Sequence, residues 1–121
     1  MAYVDGFVIA VPKKNLSAYR AMARGAGKVW KKLGALDYKE CVGDDLAVMK
    51  GMHSFTKLAR LKRGETVVFS WITYKTKAHR DAVNKKVMKD PFMQKMMTKK
   101  MPFDLKRMSY GGFRVIVDNP R

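Results

Sequence analysis

Four side chains are the candidates for proton transfer or nucleophilic attack: Glu40, Cys41, His79 and Asp104. Glu40 falls in a strand-forming segment that is predicted to be half or fully buried. A carboxylate in a low-dielectric environment has a raised pKa, which is how general acids and bases are made. The favoured alternative is a structural carboxylate, because structural ion pairs also perturb pKa values. Asp5 and Asp104 allow the same two interpretations, and Asp5 is as well suited to pairing with a basic neighbour.

Cys41 is the only cysteine, and it needs a nearby base to become a nucleophile. His79 and His53 are the only histidines, and neither is close to it in the sequence. A lone cysteine in an apolar strand is usually a small buried hydrophobe. One cysteine and two histidines without an HxxxH spacing do not make a metal site in one chain. The sequence therefore predicts no metal, no other cofactor and no intrachain disulfide.

Aromatic residues on the predicted strands form a second group of candidates: Trp71, Tyr74, Tyr110 and Phe113. They are suited to lining a cleft between the helices and the sheet, where a small aromatic or acyl ligand would bind. Aromatic residues on a sheet are more often part of the core, and core packing is the favoured alternative.

The unusual property of the composition is its positive charge. There are 26 Lys and Arg against 10 Asp and Glu, a net charge of +16, and no acidic residue lies between Gly6 and Leu36. Basic residues form a stripe on the first predicted helix and a cluster on the second: Arg20, Arg24, Lys28 and Lys31, then Lys85, Lys86 and Lys89. Such a surface predicts salt-dependent binding of nucleic acid or another polyanion without sequence preference. The alternative is that these residues are simply solvated.

The length of 121 residues is that of a single domain, residues 1–121. No segment reaches the roughly 18 apolar residues that a transmembrane helix needs, and the charges near the N-terminus follow the apolar run instead of preceding it. We therefore expect a soluble, cytoplasmic protein that has no membrane partner.

Hydrophobic periodicity and turn residues predict six main elements. In order, these are a strand at 3–11, a helix from the N-cap Asn15 to the C′ residue Gly34, strands at 36–42 and 66–74, a helix after Thr76 that restarts at Asp90-Pro91, and a strand at 107–117. The stretch 43–65 is irregular, with Ser54 as the cap of a short helical turn. The pair Gly111-Gly112 predicts a bulge or a close approach.

The order β, α, β, β, α, β is that of the ferredoxin-like fold, an α+β class with a four-stranded antiparallel sheet and two helices on one face. A weak internal repeat supports it, because Ala18-Tyr19-Arg20 and Ala78-His79-Arg80 occupy equivalent places after the first and third strands. Two split βαβ units account for this arrangement.

The strands carry apolar residues on both faces, which this fold alone does not explain. In the third strand Val67, Phe69 and Trp71 alternate with Val68, Ile72 and Tyr74. A fully exposed apolar sheet face exceeds what soluble monomers tolerate. We therefore predict a homodimer that pairs through its sheets, a dimeric α/β barrel. The alternative cover is the 43–65 loop.

Several segments together are similar to a known family. They are Tyr-Val-Asp-Gly-Phe-Val at 3–8, Gly-Ala-Leu at 34–36, Glu40-Cys41, Val-Val-Phe-Ser-Trp at 67–71, Arg-Asp-Ala at 80–82, and Met-Pro-Phe-Asp with Lys-Arg-Met-x-Tyr-Gly-Gly-Phe at 101–113. From 3 to 118 the sequence resembles the YbaA-like family of uncharacterised bacterial proteins. The resemblance implies the dimeric α/β barrel, a fold shared with cofactor-free monooxygenases, isomerases and haem-degrading proteins, but no established activity. The extra lysines at 95, 99 and 100 and the long loop depart from the expected pattern.

The preferred functional hypothesis is a small homodimer that binds a small molecule in a cleft beside the sheet, near Glu40, Trp71 and the 43–65 loop. Two alternatives stay open. One is nonspecific nucleic-acid or polyanion binding through the basic helix faces, and the other is a cofactor-independent enzyme of the monooxygenase or isomerase type.

Overall fold

A computed structural model describes residues 2–120 and contains one antiparallel sheet with strand order β2-β3-β1-β4. The strands are β1 (Tyr3–Pro12), β2 (Asp37–Val42), β3 (Glu65–Tyr74) and β4 (Ser109–Arg114). The helices are α1 (Leu16–Lys32), α2 (Phe55–Leu58), α3 (Lys77–Lys89) and α4 (Pro91–Met97), with 3₁₀ turns at Lys13–Asn15 and Leu105–Arg107. The α+β, ferredoxin-like architecture predicted from the order of elements is confirmed.

Helix boundaries follow the capping residues. The side chains of Ser54, Thr76 and Asp90 accept the backbone N–H three residues further on, as predicted. Gly34 has a φ of +122° after α1, which a residue with a side chain rarely adopts. Asn15 does not cap α1, because it already belongs to a 3₁₀ turn and its amide nitrogen donates to the carbonyl oxygen of Pro102 at 2.9 Å.

The core lies between the sheet and the helices. It comprises two groups of buried side chains: Ile9, Val11, Tyr19, Ala23 and Val68 at one end, and Tyr3, Ala26, Ala35, Ile72, Tyr74, Val83, Val87 and Met93 at the other. Ladder register places alternate residues of β1 and β3 on this helix-covered face and the remainder on the face away from α1 and α3, called the open face below.

The open face is covered only in part. Val67 and Ala10 lie on it and are each 2% exposed, and the ring of Phe55 packs against Phe69 at 5.9 Å. The 43–65 loop therefore covers one end, which was the alternative to a dimer. Phe69 and Phe113 remain 44% and 61% exposed, so the loop does not replace a partner over the rest.

The last strand is shorter than predicted and ends at Arg114 instead of Val117. Its glycine pair lies in a regular ladder, with Gly111 opposite Gly6 and Gly112 opposite Asp5, so there is no bulge. A Cβ at Gly112 would clash with the Tyr3 hydroxyl and stand 2.9 Å from two ring carbons. The predicted close approach is confirmed.

The end of the long loop is anchored by Arg107. Its guanidinium nitrogens donate to Glu65 Oε2 at 2.6 Å and Oε1 at 2.9 Å, and Nη2 also donates to the Arg60 carbonyl oxygen at 2.7 Å. These hydrogen bonds are the main reason that the pKa of Glu65 is lowered. The bidentate pair fixes the loop against the start of β4.

We expect Arg107→Gln to expose this loop to trypsin, which has sites at Lys57, Arg60, Lys62 and Arg63. Losing a charge-assisted fork should accelerate cleavage between 57 and 63 by about tenfold, since cleavage follows the population of the open loop. Mass spectrometry of a digestion time course measures this. Lys106→Gln, a neighbouring exposed residue, is the control, and equal rates in the two variants would contradict the anchoring role.

Candidate functional site, a cleft between the first helix and the edge strand

An open cleft of about 870 Å³ lies between α1 and β2. Its floor is mainly apolar and is formed by Leu16, Ala23, Gly27, Val42 and Val68, and its two tyrosines are Tyr19 and Tyr38. Because β2 is an edge strand, no further strand among residues 2–120 closes this side of the sheet. The volume lies within the range of small-molecule sites.

Glu40 lies in the cleft and is held by the two tyrosines. The Tyr19 hydroxyl donates to Oε1 at 2.7 Å, and the Tyr38 hydroxyl donates to Oε2 at 2.8 Å. Burial and, secondly, the charge of Glu40 raise the pKa of both tyrosines, so both hydroxyls stay protonated and act as donors. The prediction that Glu40 is buried is wrong, because it lies on an edge strand and is exposed to the cleft.

The position of Tyr38 depends on a glycine in α1. A Cβ at Gly27 would stand 2.8 and 2.9 Å from two carbons of the Tyr38 ring, closer than real Cβ atoms approach. Gly27 is itself buried, so the ring lies directly on the helix backbone. This contact aims the Tyr38 hydroxyl at Glu40.

The rim of the cleft is basic. Arg20, Arg24, Lys28 and Lys31, the stripe recognised in the sequence, all line it. Lys31 donates to the Leu36 carbonyl oxygen at 2.8 Å. Among residues 2–120, no ion pair within 4.0 Å joins Glu40 to any of these four cations. The structure thus brings the leading catalytic candidate and the first polyanion-binding stripe into one site.

The remaining catalytic candidates do not converge. Cys41 borders the cleft but pairs with Phe69, so its side chain belongs to the opposite face of the sheet from Glu40. It is exposed instead of buried, again because β2 is an edge strand. His79 lies beyond the end of β3, where its Nδ1 accepts the Lys75 N–H at 3.0 Å. Asp104 caps a 3₁₀ turn through the N–H of Lys106.

The four aromatic candidates do not line a common cleft. Trp71 lies opposite Gly6 and Phe113 opposite Val4, on the open face, whereas Tyr74 and Tyr110 lie on the helix-covered face. The strand register separates them, because neighbouring residues on a strand alternate between faces. A cleft was expected near both Glu40 and Trp71. The cleft contains Glu40, but Trp71 lies on the other face of the sheet. The second basic cluster, Lys85, Lys86 and Lys89, is exposed on α3 and does not line the cleft.

A buried ion pair on the helix-covered face was largely missed. Asp5 is 2% exposed, and its Oδ1 accepts from Arg80 Nη1 and from the Tyr110 hydroxyl, both at 3.2 Å. Arg80 Nη2 also donates to the Tyr3 hydroxyl at 3.3 Å, and the guanidinium lies 4.9 Å from the Tyr3 ring centroid. Burial raises the pKa of Asp5, and Arg80 and Tyr110 offset part of this. Tyr110 is thus committed to this pair and not to a ligand.

Polar contacts extend from this pair to the first helix. Trp30 Nε1 donates to the Tyr74 hydroxyl at 3.1 Å, and the Tyr74 hydroxyl lies 3.4 Å from Asn84 Oδ1. Burial, followed by the nearby charge of Asp5, raises the pKa of Tyr74. These contacts tie α1 and α3 to β3. In the sequence, the only indication of this buried pair and its polar contacts was the acidic residue Asp5 on the strand face that also carries the apolar Phe7.

Within residues 2–120, no group of three or more His, Cys, Asp and Glu side chains is arranged to hold a metal ion. None of the described helices is long and apolar enough to cross a membrane.

Comparison with known proteins shows the family. The model of DUF1428, described as a protein of unknown function, matches residues 2–105. The uncharacterized protein YbaA of Escherichia coli strain K12 is 48% identical over 118 residues, covering 98% of this chain and 99% of the relative. YbaA of Shigella flexneri matches with the same identity and coverage.

Solved structures support the fold. Rv0793 from Mycobacterium tuberculosis matches with a TM-score of 0.61 at 12% identity, covering 99% of this chain and all of the other. A protein from an uncultured marine organism, described as a dimeric ferredoxin-like protein, matches with a TM-score of 0.51 at 14% identity, covering 98% of this chain and all of the other.

Proposed function

Because this chain belongs to the DUF1428 family, whose function is unknown, we propose from its own geometry that it binds a small molecule in the cleft between α1 and β2. The ligand has an apolar body and at least one anionic group. It binds through its body to the floor around Ala23 and Val42, and through its acid to the cations of α1. Binding, and not a named reaction, is the proposed activity.

The observation that carries this proposal is a basic rim over an apolar floor, in which the rim cations form no ion pair with any of residues 2–120. Arg20, Arg24 and Lys28 recur every four residues, so their Cβ atoms face the same side of α1, one helical turn apart. Beneath them the floor offers aliphatic and tyrosine surface. An amphipathic acid binds more tightly to arginine and lysine beside a sheltered apolar surface than to the same cations on an open, solvated surface.

We further propose that two copies pair through the open face. The rings of Phe69 and Trp71 lie 5.5 Å apart, centroid to centroid, at an angle of 50°. Phe55 and Phe113 extend the apolar surface. A second copy removes these aromatic rings from water under twofold symmetry. Support also comes from the marine structural relative, which is described as dimeric. This arrangement leaves the cleft free, because the cleft lies on the other side of β2.

Two alternatives fit the structure less well. A polyanion that spans both helices needs one continuous basic surface, whereas Lys85, Lys86 and Lys89 are exposed on α3 and do not line the cleft. A cofactor-independent monooxygenase or isomerase would use Glu40 as its base. The other catalytic candidates, Cys41, His79 and Asp104, do not converge on Glu40, so the geometry favours binding over proton abstraction.

The test uses 8-anilinonaphthalene-1-sulfonate, a fluorescent aromatic anion. We expect saturable binding at one molecule per chain, and we expect Val42→Trp to weaken it at least about tenfold by filling the cleft. Val42 is 53% exposed, so the larger side chain does not disturb the core. Fluorescence titration measures the affinity.

The control is Val48→Trp, which adds the same side chain at a residue that is 45% exposed and does not line the cleft. Equal affinity in the two variants would place the probe elsewhere and reject the cleft as the binding site.

A further inference from the structure

We propose that the ligand of the cleft is a zwitterion, in which a protonated amine binds Glu40 while an acid binds the α1 cations. This inference rests on the proposed function and adds the second charged group. It assigns to Glu40 the role of a specificity residue for amines. The chemical class is an amino acid, a short peptide or another small amino acid derivative with an apolar body.

The first argument is the separation of charge inside the cleft. Arg80 and Arg107 sit within 4.0 Å of acids elsewhere in the described chain, and Asp37 pairs with Lys39. Glu40 instead has four cations around the same cleft and pairs with none of them. Opposite charges that are held apart across a cleft are arranged to bind a molecule that carries both charges.

The second argument is how the tyrosines use the carboxylate. A carboxylate has about four acceptor positions on its two oxygens. Tyr19 and Tyr38 each take one and restrain the group against the floor. The remaining positions face the open cleft, because Glu40 is exposed there. An ammonium supplies the N–H donors that these positions lack, as a charge-assisted hydrogen bond.

The third argument is dimension. Tyr19 and Tyr38 both donate to Glu40, and the Tyr38 ring lies on Gly27, so the carboxylate lies beside the part of α1 between Tyr19 and Gly27. The cations Arg20, Arg24 and Lys28 recur one turn apart along this part of the helix. One turn advances about 5.4 Å, and the two ends of an extended dipeptide are roughly 6–7 Å apart. A dipeptide can therefore reach an acid with its N-terminus and a base with its C-terminus. A simple acid leaves Glu40 without a cationic partner.

The test is a matched set of three peptides: phenylalanyl-phenylalanine, its N-acetyl derivative and its C-terminal amide. Displacement of 8-anilinonaphthalene-1-sulfonate and direct calorimetry give their affinities. We expect the free dipeptide to bind at least about tenfold more tightly than either derivative, since each derivative loses one charge-assisted contact.

Two variants assign the contacts. Glu40→Gln should bring the free and N-acetyl peptides to within about twofold of each other, whereas Arg24→Gln should weaken these two and leave the amide unchanged. Asp118→Asn and Lys32→Gln remove the same charges at exposed positions that do not line the cleft. Both controls should keep the wild-type order of affinities.

The outcomes separate this inference from the proposed function. If the N-acetyl peptide binds as tightly as the free peptide and Glu40→Gln leaves their ratio unchanged, the zwitterion inference is wrong while acid binding in the cleft stands. If Val42→Trp weakens binding of the probe but no peptide displaces the probe from the wild type, the inference is also wrong. If Val42→Trp has no effect on the probe, both fail together.

Discussion

Replacing Arg80 with methionine is expected to lower the free energy of unfolding at pH 7 by about 3–4 kcal/mol. Asp5 then has no cation, although it is 2% exposed. It must take up a proton or remain an unpaired buried charge. Protonating a carboxyl whose unfolded pKa is 3.8 costs about 4 kcal/mol at pH 7, and this sets the upper limit of the electrostatic loss.

The loss should depend on pH in a defined direction. In the variant the folded pKa of Asp5 lies further above its unfolded value, because burial acts without the opposing guanidinium. The folded state then binds more protons than the unfolded state between these two pKa values. Stability is consequently highest below the unfolded pKa and falls as the pH rises through that window. Between pH 7 and pH 5 the variant should recover about 2–3 kcal/mol relative to the wild type.

Urea denaturation at several pH values provides the measurement, and Asp81→Ala provides the matched control. Asp81 Oδ1 lies 3.0 Å from Arg80 Nε, but without a hydrogen bond, and its side chain is 58% exposed. Removing this second carboxylate should cost less than about 1 kcal/mol with little dependence on pH. If both variants lose a similar amount of stability, the burial of Asp5 does not explain the importance of its ion pair.

Replacing Phe69 with glutamate is expected to convert the proposed dimer to a monomer, with dimerisation weakened at least about 100-fold. The substitution places a charge at the centre of an aromatic surface that a partner must desolvate, which costs several kcal/mol. Sedimentation velocity at micromolar concentration should then give a mass of 13.8 kDa for the variant and twice that mass for the wild type.

Two further variants make this result interpretable. Phe113→Lys alters the same face at a residue that is 61% exposed, and it should also give a monomer without loss of core packing. Phe92→Glu alters a residue that is 50% exposed on α4, outside the sheet, and it should remain a dimer. A wild-type chain that sediments as a monomer throughout would refute pairing through the sheet.

Periodicity and capping residues were sufficient to predict the architecture. Ser54, Thr76 and Asp90 act locally, through a backbone N–H three residues away, so their effect can be recognised without knowing the tertiary structure. Asn15 shows the limit of such reasoning. It does not cap the helix as predicted, because its amide donates to the carbonyl oxygen of Pro102, 87 residues away.

The site was predicted less completely, because strand order and register are tertiary properties. Glu40 and Cys41 were expected to be buried, and both are exposed because β2 is at the edge of the sheet. Trp71 and Tyr74 were also expected to share a cleft. Their odd spacing on one strand puts them on opposite faces, and this could have been recognised from the sequence alone. The basic stripe on α1 was found correctly, but only the fold shows that it borders Glu40.

In the edge strand β2, the residues that contact the ligand and those that face the partner can be substituted independently. Tyr38, Glu40 and Val42 turn toward the cleft, whereas Lys39 and Cys41 turn toward the face proposed for pairing. Substitutions at even positions can therefore change specificity while the partner contact is preserved, and substitutions at odd positions can do the reverse. A one-residue insertion or deletion in this strand would exchange the two sets of side chains. Diversification within this strand is thus open to point substitutions and closed to changes of length.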